Sequence, residues 1–129
     1  DREMALAAKV VTDGKEQIAG VVRIIADAWG ETANFAILVA DPWQNRGLGS
    51  LMMDYMLEIA RDKGIKEVNA SVLRNNSHMI KMFQHRGFEL AVEDNGVFSA
   101  KLNLENALPF VAELPFEVRG RGNRNSSIF

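Results

Sequence analysis

The sequence of 129 residues contains no cysteine. This absence excludes disulfide bonds, thiolate metal sites and catalysis through a cysteine acyl-enzyme. An excess of positive charge is also absent, since 15 lysines and arginines stand against 17 acidic residues, and nucleic acid is therefore not expected as a partner. No apolar run approaches the ~20 residues of a membrane-spanning helix, and we expect no secretory signal. A cytoplasmic location is the default expectation.

Histidine is scarce as well. The two histidines, His78 and His85, fall on one predicted helix, with no cysteine or third histidine to accompany them. A metal site needs several such ligands close together, so none is predicted.

The length of the chain allows one domain, which at this size buries roughly two-thirds of the surface of the unfolded chain. A strand-like run begins almost directly after Asp1-Arg2-Glu3, with neither a methionine nor a polar segment before it. We interpret the sequence as a fragment of something longer, or as a chain whose early part is missing.

Apolar runs predict an antiparallel hairpin followed by a central strand. Met4–Val11 and Ile18–Ala26 are strand-like, and Asp13-Gly14 between them tolerates the positive φ of a tight turn. Phe35–Val39 is a nearly continuous apolar run, which predicts a strand buried on both faces and ended by Pro42.

Two helices and three further strands are predicted after this strand. Helical spacing of apolar residues indicates a helix from Leu48 to Lys63, and a shorter helix is expected after a capping Asn76. The remaining strands are Glu67–Leu73, Phe88–Glu93 and Val97–Leu104, the last two joined by a turn at Asn95-Gly96. This order predicts a mixed α/β fold, with a mostly antiparallel sheet and flanking helices.

The composition changes after residue 104. We divide the chain into a domain over residues 1–104 and a C-terminal extension over residues 105–129. Leu-Pro-Phe occurs at Leu108 and again at Leu114, and its phenylalanines are expected to dock on a surface. The tract from Arg119 to Ser127 is rich in glycine, asparagine, serine and arginine, and we expect it to be disordered.

A glycine-containing turn joins the central strand to the first helix. Glycine lets the backbone approach a ligand closely, and the unpaired amides at a helix start suit a pyrophosphate. The dinucleotide fingerprint is incomplete, because Met52 stands in place of its third glycine, and no P-loop motif occurs. The pattern that remains is Gln-x-x-Gly-x-Gly, from Gln44 to Gly49; a helix entry without a ligand is the alternative.

This pattern resembles the pyrophosphate loop of the GNAT acyltransferases. Phe35–Gly64 is similar to the strand, loop and helix of that family, and Asn76–Phe88 to its second motif. The resemblance covers residues 1–104 and, more narrowly, points to the acetyltransferase domain of bacterial protein lysine acetyltransferases. Those domains often follow an ADP-forming acyl-CoA synthetase-like region. The resemblance also implies that the family's first strand and first two helices are missing from this chain.

Acetyl-CoA (coenzyme A) is the cofactor that the resemblance implies. Its pantetheine arm would pair with the backbone at Ile37, Leu38 and Val39 as an additional strand does, and an amide near Val39 would polarise the thioester carbonyl. Asn76 would bind the pantetheine, unless it is a helix cap alone, and Phe83 would pack beside it. The pyrophosphate would be bound by Gln44, Asn45, Arg46, Gly47, Leu48, Gly49 and Ser50.

The sequence departs from the family at the general base. Many GNAT enzymes have a glutamate where Asn34 stands here, and asparagine cannot take a proton, although it can orient a water that does. Glu31 and Asp41 are nearby substitutes, but a solvent-exposed role suits them better. Phe83 stands where many relatives have a tyrosine acid. The catalytic residues that we predict are therefore Asn34 and the backbone of Val39.

Three functions remain open on the sequence. The first is transfer of an acetyl group from acetyl-CoA to a protein lysine, and the second is transfer to a small amine on the same scaffold. The third is a non-catalytic module that senses acyl-CoA for an attached domain. The missing elements also predict an apolar sheet face, covered by residues 108–118 or by a second copy of the chain.

Overall fold

The computed structural model of the chain describes residues 2–105, 107, 109–111 and 114–115, and the backbone of 125–127. Its strands are β1 (Glu3–Thr12), β2 (Lys15–Ala26), β3 (Thr32–Val39), β4 (Glu67–Leu73), β5 (Glu89–Val92), β6 (Val97–Asn103) and β7 (Asn125–Ser127). Its helices are α1 (Leu48–Asp62) and α2 (Ser77–His85), and a short 3₁₀ helix over Asp41–Trp43 precedes α1. All strands lie in one sheet, in the order β5-β6-β4-β3-β2-β1-β7. The predicted mixed fold and the predicted order up to β6 are confirmed.

Both predicted hairpin turns form as expected. The β1–β2 turn has φ of 52° at Asp13 and 75° at Gly14, and the β5–β6 turn has φ of 66° at Asn95 and 72° at Gly96. Two consecutive residues with positive φ match the right-handed twist of the strands that they connect. Local sequence therefore decides where these two hairpins reverse.

The hydrophobic core lies between the helices and one face of the sheet. Both helices pack on this face, because Phe83 of α2 meets Phe35 of β3 with ring centroids 6.1 Å apart, while Met52 of α1 lies beside Gly20 of β2. Residues of α1 supply much of the core, through Met52, Met53, Met56, Leu57, Ile59 and Ala60.

The opposite face of the sheet carries no helix among the described residues, which corrects the expectation that Phe35–Val39 is buried on both sides. Burial alternates along β3: Phe35 is in the core, whereas the side chain of Leu38 is 73% exposed. An apolar run buries both faces only when elements cover both faces. We call this uncovered side the open face; it also exposes Ile25 and Leu73.

The strands β3 and β4 separate part-way along their length. They pair in parallel only over Thr32–Asn34 and Glu67–Asn69, whereas β3 stays paired with β2 as far as Val39. The second half of β3 therefore has a strand neighbour on one side alone. A wedge-shaped gap opens between the end of β3 and the end of β4.

The C-terminal segment is described only in part. The backbone amide of Phe110 donates to Glu58 of α1 at 2.8 Å, and Phe110 and Leu114 pack against the core. These residues lie on the helix side of the sheet, and Phe110 thus docks on a surface as the sequence predicted, although the prediction did not specify the face. Residues 125–127 pair in parallel with β1. The other residues predicted to be disordered lie outside the described residues, so the proposed division at residue 104 stays a prediction.

Candidate functional site

The gap between β3 and β4 contains a cavity of about 810 Å³, which we call the wedge cavity. Asn34, Asn69, Ser71 and Ser99 contribute polar side chains to its wall. Phe83 closes its helix side. The cavity therefore begins at the last paired residues of β3 and β4 and continues into the unpaired part of the gap.

Backbone groups of β3 point into this gap. Alternate residues of an antiparallel strand face the same neighbour, and Ala40 donates to Ala19 of the β2 side at 2.8 Å. The residues between, including Ile37 and Val39, therefore face the side that β4 has left. Such free amide and carbonyl groups are a template for an additional extended chain.

A second cavity, of about 580 Å³, lies at the glycine turn, and we call it the loop cavity. Ile37, Asn76 and Met79 line both cavities, so the two adjoin. The predicted cofactor-binding residues that line the loop cavity are Ile37, Leu38, Val39, Gln44, Asn45, Gly47, Gly49, Ser50 and Asn76. The structure thus brings most of the predicted site residues together around one groove.

The backbone conformation of the glycine turn explains why residue 47 is a glycine. Gly47 caps the N-terminus of α1 with φ of 85°, a left-handed conformation that strains most side chains, and a Cβ there would enter open space. Asn45 also has a positive φ, of 61°. The first turn of α1 contains no acidic residue, so its unpaired amides can attract an anion without competition.

Gln44 acts on the end of β3. Its side-chain amide donates to the carbonyl of Val39 at 2.9 Å and to a carboxylate oxygen of Asp41 at 3.1 Å. These bonds hold the strand end against the turn and use one of the backbone groups that face the gap. In this geometry Gln44 shapes the site by holding the end of β3, because its side-chain amide donates to Val39 and Asp41.

Two predicted residues of the loop do not line either cavity. The guanidinium of Arg46 lies over the ring of Trp43, 5.3 Å from its centroid. Leu48 is half-buried and packs against the core. Arg46 therefore lies on Trp43 and outside the groove, and Leu48 offers the groove only its backbone amide.

Asn76 has the capping role that its sequence predicted. Its side-chain oxygen accepts from the amide of Met79 at 3.2 Å and so begins α2. The same side chain lines both cavities, and among the described residues its amide nitrogen donates to nothing. Phe83 is only 2% exposed and contacts Phe88 as well as Phe35, yet it reaches the wedge cavity.

The candidates for the general base are placed differently from one another. Asn34 is exposed and lines the wedge cavity at the point where β3 and β4 separate. Glu31 lies before β3 with Lys66 3.7 Å away, and Asp41 is bonded to Gln44; neither lines either cavity. The catalytic roles of Asn34 and Val39 stay predictions.

Arg86, which the sequence did not single out, joins the two helices beside the loop cavity. It donates to both carboxylate oxygens of Asp54, at 2.7 and 3.2 Å, to the Ser50 hydroxyl at 2.8 Å and to the Met82 carbonyl at 2.9 Å. Its side chain is 12% exposed. Sequence offers little to find such a pair, because its members are distant in the chain.

Gly20 is a second residue that sequence did not single out. A Cβ at this position would lie 3.0 Å from the Met52 sulfur and 3.1 Å from the carbonyl oxygen of Leu38. Only glycine lets α1 and the end of β3 approach β2 this closely. Gly20 thereby allows the end of β3, which faces the gap, to lie close to β2.

The histidines lie beside the site without forming a metal centre. His78 and His85 line a cavity of about 540 Å³ between α2 and the start of α1, together with Ser50 and Asp54 of α1 and with Lys81 and Arg86. Within the described part of the chain, no group of three or more histidine, cysteine, aspartate or glutamate side chains is placed to hold a metal ion. Neither described helix is long and apolar enough to cross a membrane.

Comparison with known proteins leads to the same family that the glycine-containing loop resembles. The sequence model of the Acetyltransferase (GNAT) family matches residues 1–88. The chain is 33% identical to Acetyltransferase Pat of Mycolicibacterium smegmatis over 89 residues, which are 67% of this chain and 27% of that protein. The chain thus spans much less than two thirds of that relative.

Solved structures share the fold. The GNAT domain of S. lividans PAT superposes with a TM-score of 0.60 at 28% identity, over 72% of this chain and 57% of the other. Campylobacter jejuni N-acetyltransferase PseH, solved in complex with acetyl coenzyme A, gives 0.58 at 22% identity, over 72% and 63%. At that identity the second similarity shows the fold alone.

Proposed function

Because the chain belongs to the acetyltransferase (GNAT) family, we propose that it transfers an acetyl group from acetyl-CoA to the side-chain amine of a protein lysine. The observation that carries this proposal is the pairing of a glycine-capped helix start with a strand end that its neighbour has left. The helix start suits a pyrophosphate, and the unpaired strand end suits an extended, amide-containing arm.

The residues present fit acetyl-CoA as the donor. Gly47, Gly49 and Ser50 would hold the pyrophosphate through the free amides at the start of α1. Ile37 and Val39 would pair with the pantetheine, and the amide nitrogen of Asn76 would donate to it. Acetyl-CoA supplies an activated acyl carbonyl when it is bound.

The chain's own groups assist the transfer in two ways. The Val39 amide, which faces the gap, would stabilise negative charge on the carbonyl oxygen, and one such donor is typically worth ~10²–10³-fold in rate. Asn34, at the paired end of the wedge cavity, would orient a water that carries the proton of the acceptor amine to solvent.

A protein acceptor is supported by the access to the wedge cavity. Its wall includes Ala36, Ser71 and Leu73, which are exposed on the open face, so a side chain presented by a large partner can enter. The cytoplasmic location, a homo-oligomer and an attached acyl-CoA synthetase-like domain stay predictions.

Calorimetry with acetyl-CoA tests the donor site. Asparagine and aspartate are similar in shape and both tolerate a left-handed backbone, so Gly47→Asn and Gly47→Asp differ mainly in charge. We expect the aspartate variant to bind at least about tenfold more weakly than the asparagine variant, because its carboxylate meets the phosphates. Equal affinities of two folded variants would remove the loop from the donor site.

Labelled acetyl-CoA then tests the acceptor. Transfer to lysine-containing peptides or proteins, and not to free amines, is the expected result. Transfer to free amines alone would select a small-molecule enzyme instead. Tight binding of acetyl-CoA without any transfer would select a sensing module and overturn the catalytic proposal.

A further inference from the structure

Among the described residues that line the wedge cavity, one is charged, namely Glu93. Its other polar groups are the neutral amides and hydroxyls of residues such as Asn34, Asn69 and Ser99. The described part of the wall thus carries a negative charge without a positive one, and such a wall attracts a cation.

The backbone holds Glu93 in place at the rim of this cavity. Its amide donates to the Val97 carbonyl at 2.9 Å and closes the β5–β6 hairpin just before the Asn95-Gly96 turn. The carbonyl of Gly96 accepts from the amide of Arg74 at 2.9 Å, which ties the turn to the segment between β4 and α2. The hairpin end is therefore anchored from two sides, although Glu93 itself is exposed.

The neighbouring cations are occupied by other groups. The ammonium of Lys101 lies 3.9 Å from Glu67, and the guanidinium of Arg74 lies over the Phe98 ring, 5.4 Å from its centroid. Neither lines the wedge cavity, and among the described residues neither forms an ion pair with Glu93. Its carboxylate is thus available to a positively charged ligand.

We propose that Glu93 binds the ammonium group of the acceptor and selects cationic amines for this site. This inference rests on the proposed function, because it assigns the second substrate to the cavity next to the donor groove. Glu93 supplies the negative charge at the entrance, where the ammonium would bind first, and Asn34 lies at the paired end, where the amine would lose its proton before the transfer. Because Glu93 is exposed, an ion pair of this kind contributes less than a buried one, and we expect it to change affinity by up to about fivefold.

The test compares two acceptors that differ in charge. One is a lysine peptide, and the other is the same peptide with an aminooxy group in place of the ε-amine, which is neutral near pH 7. For Glu93→Gln we expect about a threefold to fivefold rise in KM for the lysine peptide and a similar weakening of its binding to the CoA-saturated protein. The aminooxy peptide should change by less than about twofold, and acetyl-CoA affinity should not change.

Glu89→Gln is the matched control. It removes the same charge from the same hairpin, but Glu89 does not line the wedge cavity. It should leave both acceptors unaffected.

Either of two results would overturn the inference: equal losses for the two acceptors in Glu93→Gln, which indicate a structural role, or no loss for the lysine peptide. Peptide binding separates the two proposals. If the wild-type protein transfers no acetyl group yet binds the lysine peptide through Glu93, the catalytic proposal fails and this inference stands.

Discussion

The two parts of β3 differ in composition and in surroundings: Thr32–Asn34 includes two polar residues, whereas Phe35–Val39 is apolar throughout. Residues Thr32–Asn34 have β2 on one side and β4 on the other, whereas Phe35–Val39 keep β2 alone. The first half is a section of ordinary sheet. The second half offers backbone hydrogen-bonding groups to whatever enters the gap, and the candidate site is built around it.

This difference shows how a sheet makes a binding site without special side chains. A strand normally satisfies its amides on both sides, so leaving one side open is costly unless water or a ligand binds there. Gln44 satisfies one of these groups, the Val39 carbonyl, and α1 and α2 form the walls. The comparison predicts that changes at the boundary and the walls affect binding, whereas changes far away affect stability alone.

The largest effect is expected at the boundary residue itself. If Asn34 occupies the vacant position of the base, Asn34→Glu should raise turnover near neutral pH by up to ~10²-fold, since a general base typically contributes ~10²–10⁴-fold. Steady-state kinetics with a lysine peptide measure this. Asn34→Gln, of the same length and without a titratable group, is the control. An unchanged rate with preserved acetyl-CoA affinity would place the base elsewhere.

The next largest effect is expected at Arg86, which joins the two helices that form the wall of the groove. Arg86→Met should lower the free energy of unfolding by about 2 kcal/mol, less than a fully buried pair would cost because Asp54 is partly exposed. It should also weaken acetyl-CoA binding, because α2 carries Asn76 and Met79 into the groove. Urea denaturation and calorimetry check both.

Arg23→Met is the comparison for this variant. Among the described residues, Arg23 forms one ion pair, the exposed contact of its guanidinium with Glu3 at 3.8 Å, so we expect a loss of less than about 1 kcal/mol. Equal losses of unfolding free energy in the two variants would mean that Arg86 contributes no more to stability than an exposed ion pair does.

A smaller effect is expected beneath the unpaired half of β3. Gly20→Ala should cost about 1–2 kcal/mol, because the new methyl group meets the Leu38 carbonyl and Met52. Gly49→Ala makes the same change where the nearest atoms are at 3.4 and 3.5 Å, and in a helix it should be neutral or stabilising. Urea midpoints distinguish them. A Gly20→Ala midpoint equal to that of the wild type would show that the strand end moves freely.

The smallest effect is expected far from the gap, at Glu58. Burial raises the pKa of this carboxyl, but hydrogen bonds from Arg61 and from the Phe110 amide outweigh burial and hold the pKa below its ordinary value. A lowered pKa stabilises the fold above the unfolded value of about 4.3, and this stability is lost as the pH falls through the folded pKa. Glu58→Gln should therefore cost about 1 kcal/mol at neutral pH and less in acid.

Denaturation curves at several pH values, with Glu89→Gln as an exposed carboxylate for comparison, measure this pH dependence. A constant difference between wild type and Glu58→Gln across the acid range would contradict it. Acetyl-CoA affinity should be the same in both proteins, because Glu58 lines neither cavity.

Several features of the fold could be predicted because short-range chemistry decides them. Positive φ at Asp13-Gly14 and Asn95-Gly96 reverses the hairpins, the apolar stripe from Leu48 places α1, and Asn76 starts α2. The loop from Gln44 to Gly49 could be read as a phosphate site for the same reason, since helix starts bind anions wherever they occur.

Other features could not be predicted from the pattern of residues. Phe35–Val39 is apolar throughout, but the exposure of Leu38 depends on the absence of a covering element in the described chain. Arg46 lies on Trp43 and not in the groove, and Arg86 and Gly20 matter through contacts with residues distant in sequence.

By itself, then, the sequence determined the order of the elements, the turns, the caps and the glycine-capped start of α1, because each depends on residues within a few positions of one another. Only the tertiary structure decided where β3 and β4 separate, which backbone groups face the gap, and that Glu93 lines the same cavity as Asn34. These depend on the register and divergence of strands distant in the chain, which no local pattern specifies.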